Sequence, residues 1–154
     1  FARQAANLVA RRNALLAALT QNETRIPALE GLIDAFIRPA FEVTHGDRDD
    51  LFNRLLARLS IESSVVARQI ISKAFDENDL LFITEFARAA PHLSADEVHW
   101  RFHFFVGSMI YTMSDAGQLY GLSDGVCDTT DTETALAQMT RAFKALFLAP
   151  QYKH

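Results

Sequence analysis

His99 and His103 stand four residues apart in a segment of helical apolar pattern, so both imidazoles fall on one face within a single turn. Two histidines so spaced can grip one metal ion. Two ligands do not complete a site, and no Glu stands between them as the metalloprotease signature requires. No Glu-x-x-His pair supplies the carboxylates of a di-iron bundle. Cys127 is the only cysteine, so no internal disulfide can form. It lies between Asp124 and Asp128 in a polar stretch, where neighbouring negative charge makes it a poor nucleophile. No Ser occupies a nucleophile elbow, and no glycine-rich loop cradles a phosphate. These residues predict neither an enzyme nor a metal site, and no cofactor.

The elements that position these groups read as helices throughout. The chain has 154 residues, 49% apolar and 22% charged, which suits one soluble globular domain with a sizeable core. Only six Gly and four Pro interrupt it, too few for a chain rich in tight turns. Apolar residues recur at helical spacing, and no strand alternation is seen. About six helices are expected. The first covers about 2–19. The second begins near Pro27, contains Pro39 as a source of kinking, and closes at His45-Gly46. A short helix is capped within 47–50 and runs through Leu59. A long one covers about 63–90, with an acidic turn at Asp76, Glu77 and Asp79 that invites a bend. Capping boxes at Ser94–Glu97 and Thr130–Glu133 open the last two helices, 95–119 and the one ended by Pro150, with a loop over 120–129 between them.

The net charge of -4 disfavours nucleic-acid binding by these residues alone. Arg3, Arg11 and Arg12 gather near the start and read as a solvated helix face. No apolar run is long enough to span a membrane, no secretory signal is visible, and the lone cysteine suits a reducing cytoplasm. The chain opens without Met and already inside an amphipathic pattern, which predicts a preceding segment.

The 95–119 helix carries two apolar faces. Val98, Phe102, Phe105, Met109, Met113 and Ala116 form one, and Trp100, Phe104, Gly107 and Tyr111 lie nearly opposite. Arg101, Ser108 and Asp115 form a polar seam between them. A surface helix needs one apolar face, so two predict burial from both sides, either inside one subunit or with a second chain. The dimer is the favoured expectation. Phe102, Phe105, Met109 and Met113, with Leu136, Met139, Phe143 and Phe147 of the last helix, are its expected interface in an intermolecular four-helix bundle.

The segment Ala90-Pro91-His92-Leu93-Ser94-Ala95-Asp96-Glu97-Val98-His99-Trp100-Arg101-Phe102-His103-Phe104-Phe105-Val106-Gly107 resembles a stretch in the C-terminal domains of TetR-family transcriptional regulators. The helix order, including the Arg38-Pro39 kink, is similar over nearly the whole chain. The fatty-acid-responsive branch is the nearest likeness, with Met113-Ser114 in the place of its Met-Ser pair. His99 departs from that branch, which often has an aromatic residue before the Trp.

The resemblance implies an all-α effector-binding and dimerisation domain of a cytoplasmic repressor. It implies a homodimer that reaches operator DNA only through an N-terminal helix-turn-helix head, which these residues do not contain. It also implies a cavity for a small apolar effector, such as a fatty acid or acyl-CoA, among the middle helices. Phe36, Phe41, Phe52, Phe75, Phe82, Phe86, Trp100 and Phe104 are then candidate walls. His103 and Tyr111 would orient the ligand, and Arg101 would meet a carboxylate. Taken singly, each Phe reads more readily as plain core. A stand-alone helical carrier of apolar molecules is the alternative function, and a dimerisation module without ligand is a third.

Overall fold

The computed structural model describes residues 1–22, 24–42 and 47–152, without the side chains of 47–50. Among them all regular structure is helical: α1 (Ala2–Leu19), α2 (Leu29–Glu42), α3 (Asp47–Ile61), α4 (Val65–Ala89), α5 (Ala95–Met113), α6 (Gln118–Leu122) and α7 (Thr132–Leu148). The expected closure of the second helix at His45-Gly46 and the cap of the third lie outside the described residues or side chains.

One core joins the helices. α2 is its centre, with Leu32, Ile33, Phe36 and Ile37 almost wholly buried, and it packs against α1, α4 and α7. Pro39 lies buried within α2. α4 runs unbroken through the acidic turn. Its start is capped by Ser64, whose side chain accepts from the Ala67 amide at 3.1 Å. Rings interlock across the elements: Phe36 meets Phe82 edge-on at 5.0 Å, Phe105 lies 4.9 Å from Phe143, and Phe86 stacks on Phe147 at 4.4 Å.

Several boundaries differ from the sequence expectation. α5 ends at Met113, so Ala116 is exposed instead of extending the inner face. Gly117 adopts φ 91°, a left-handed conformation suited to glycine, and a separate short helix follows. Asp115 supports the break: one oxygen accepts from the Gln118 amide at 3.0 Å and the other from the Thr129 hydroxyl at 3.0 Å. Neither capping box closes fully. At α5 the Ser94 hydroxyl donates to Asp96, and Glu97 pairs with Arg101. At α7 the cap is Asp131, which accepts from the Thr134 amide at 3.2 Å, while Glu133 reaches Arg38 at 2.8 Å.

The expected interface residues take a different place. Phe102, Phe105, Met109, Leu136, Met139, Phe143 and Phe147 are buried in the chain's own core, and Met113 is half-buried against it. The reason is that the inner stripes of α5 and α7 face each other within one chain, so neither is left for a partner. The opposite side of α5 is outward: Trp100, Phe104 and Tyr111 are each more than half exposed.

Candidate functional site

α1 carries an apolar stripe, Ala5, Leu8 and Leu16, and Arg12 occupies the same face. Its position buries it to 2% exposure, a correction to its reading as part of a solvated basic patch. The Arg12 Nε–H donates to the Phe36 carbonyl at 2.8 Å, and a terminal nitrogen approaches the Met109 sulfur at 3.4 Å. The guanidinium carbon lies 3.6 Å from the Phe36 ring centroid, a cation–π stack. Burial lowers its pKa from 12.5 to about 10, partly opposed by the negative charge of Asp79.

Asp79 is reached from α4, four residues after Phe75 on the inward side. Burial raises its pKa from 3.8 to about 6; the Arg12 charge works against that rise and Asp76 adds to it. Its Oδ1 is buried and has no hydrogen-bond partner. Asp79 forms no ion pair with Arg12 within 4 Å.

Both groups line one half-enclosed cavity of about 50 Å³ between α1 and the α2–α5 wall. The rest of its lining is mainly apolar: Leu8, Phe36, Leu56, Ile71, Phe75, Val106, Met109 and Ile110, with Ser60. It has the composition of a small-molecule site, apolar walls with a few convergent polar groups. A wider, more open groove of about 350 Å³ adjoins it through Asp79 and Val106 and holds Asp76, His99 and His103. Among the described residues no three His, Cys, Asp or Glu groups gather to hold a metal. His99 Nδ1 is engaged by the Ala95 carbonyl at 2.6 Å.

The expected ligand wall is only partly assembled. Phe36 and Phe75 line the cavity. Phe41, Phe52, Phe82 and Phe86 are buried in the core and do not line it. Trp100, His103, Phe104 and Tyr111 lie on the exposed side of α5, with Tyr111 bonded to Gln118. Arg101 does not line the cavity either, and its donors are engaged within the chain. It is buried, pairs with Glu97 at 2.9 Å, and donates to the carbonyls of Leu146, Ala149 and Pro150 at 2.5, 2.7 and 2.9 Å. It thereby satisfies the orphan carbonyls at the end of α7. Sequence reasoning missed Arg12 and Asp79. A charged residue at an apolar stripe position, four after Leu8 and four before Leu16, was the available signal.

A family model described as a tetracyclin repressor-like, C-terminal domain matches residues 34–145, most of the chain. The chain belongs to that family. As a tetracyclin repressor-like C-terminal domain it has a regulatory part, effector binding and dimerisation in general terms. No curated protein matches the chain. Among the described residues no helix is long and apolar enough to cross a membrane.

Proposed function

We propose that this domain senses a small apolar effector in the cavity between α1 and α4 and passes the event to operator DNA through α1. In an intact regulator of this kind, a helix-turn-helix head would precede α1 and act as a cytoplasmic repressor. One observation carries the reading: Arg12 of α1 is itself a wall of the cavity. A molecule entering there must displace or re-pair the group that seats α1 against Phe36 and Met109. Only a ligand with different affinities for two positions of α1 can shift their populations, and this contact supplies such a difference.

The resemblance to the fatty-acid-responsive branch suggests an acyl chain as the apolar part. A thermal-shift panel of fatty acids, acyl-CoAs and aromatic compounds tests the site. An effector at a hundredfold its dissociation constant adds about 2.7 kcal/mol of stability. An unmoved unfolding midpoint across the panel counts against a fatty-acid effector.

The outward side of α5 is the proposed homodimer face. Trp100, Phe104 and Tyr111 expose large rings around Gly107, and a Cβ at Gly107 would meet nothing within 4 Å. α7 packs beside α5 and presents small exposed residues, Ala137, Ala142 and Ala145, which permit close approach of another helix. Sedimentation at micromolar concentration is expected to give a dimer and, for Phe104→Arg, a monomer. A monomeric parent protein would overturn this assignment.

A further inference from the structure

The cavity holds two opposite charges that do not satisfy each other. Arg12 offers five N–H donors. The Phe36 carbonyl takes one, and a second reaches only a thioether, a weak acceptor. Asp79 presents a buried oxygen that nothing hydrogen-bonds. Both face the same small space, and no ion pair joins them. A buried polar atom left without a partner is costly, and more so when it is charged. The group best suited to this space donates to the carboxylate and accepts from the guanidinium.

Resting on the reading of this cavity as the effector site, we propose that it takes an amphiphile with an uncharged donor–acceptor head, such as an alcohol, a carboxamide or a phenol, in preference to a carboxylate or an amine. An anionic head gains from Arg12 and is repelled by Asp79. A cationic head gains from Asp79 and is repelled by Arg12. A hydroxyl or amide satisfies both without adding charge to a mainly apolar site. The cavity's 50 Å³ is room for such a head, and Leu8, Ile71, Phe75 and Ile110 line the same space with apolar surface.

Four eight-carbon probes separate the cases: octan-1-ol, octanamide, octanoate and octylammonium, titrated calorimetrically into the protein at pH 7.5. The neutral pair is expected to bind at least about tenfold more tightly than either ion. In Asp79→Asn the repulsion is gone, and octanoate is expected to gain about tenfold while octylammonium does not. Ile71→Trp fills the cavity and is expected to abolish binding of the neutral pair. Octanoate binding as tightly as octan-1-ol in the parent protein overturns the inference and leaves the cavity as an effector site. Neutral probes that bind Ile71→Trp unchanged place the ligand elsewhere and overturn it too. No binding by any probe removes both the inference and the effector reading of the cavity.

Discussion

Among the described residues two arginines are buried, and they are held in opposite ways. Arg101 is 6% exposed and is well paired: one carboxylate and three carbonyls take four of its five donors, and the carbonyls lie in the last turn of α7 and just beyond it. Arg12 is 2% exposed, has one carbonyl and a sulfur, and looks across a cavity at a carboxylate it does not touch. Burial alone therefore does not reveal what a charged side chain is for. A guanidinium with nearly all its donors paired fastens two elements together. An under-paired one beside empty space is poised to change partners, which a sensor requires.

The sharpest way to break this contrast is to remove each cation in turn. Arg101→Ala strands Glu97 and three terminal carbonyls, and is expected to cost about 3–5 kcal/mol in denaturant unfolding. Arg12→Met keeps most of the side-chain volume in an apolar setting and forfeits one good hydrogen bond and a cation–π stack. Its expected loss is about half as large, or less. Equal losses at the two positions would make Arg12 as structural as Arg101.

Asp79 refines the same comparison through pH. Its folded pKa, about 6, is above the ordinary 3.8, so the folded state binds more protons than the unfolded chain between these values. The sign follows: this group favours folding when protonated, and that contribution fades as pH rises from about 4 to above 6. The penalty at neutral pH is on the order of 3 kcal/mol. Asp79→Asn removes the ionisation, so it is expected to be more stable than the parent at pH 7.5. The two should converge as pH approaches 4. A stability difference that stays flat from pH 4 to 7.5 would mean that Asp79 is not desolvated.

The helices themselves were legible, because the apolar stripes of α1, α2, α4, α5 and α7 repeat at a period that only a helix aligns. The two-faced character of α5 was legible for the same reason. What periodicity cannot supply is the sign of a face. Phe102 and Trp100 are both large and apolar, and only the seating of α5 on α4 and α7 decides that the first turns inward. The aromatic wall failed as a guide because a ring packed against rings, such as Phe86 on Phe147, has the same sequence signature as one beside a void. Arg12 was readable in principle, since it breaks an apolar stripe. Its proximity to neighbouring Arg11 concealed that. Asp79 was concealed likewise by Asp76 and Glu77, which point to solvent from the same turn.

The smallest expected effect tests the outer face of α5, where the structure leaves a glycine in mid-helix with open space beside it. Glycine there costs roughly 0.5–1 kcal/mol relative to alanine, and, its chain neighbours and the helix backbone aside, no described residue of its own chain comes within 4 Å of the place a Cβ would take. If a second copy packs at that point, Gly107→Ala affects folding and association in opposite directions. In the monomeric Phe104→Arg background, the alanine is expected to raise unfolding stability by about 0.5–1 kcal/mol, because the helix gains and no neighbour is disturbed. In the parent protein, the added methyl holds the helices apart, and sedimentation over a concentration series is expected to give roughly tenfold weaker dimerisation. A gain in stability with unchanged association would take Gly107 out of the contact and leave the exposed rings of Trp100, Phe104 and Tyr111 to be covered in some other way.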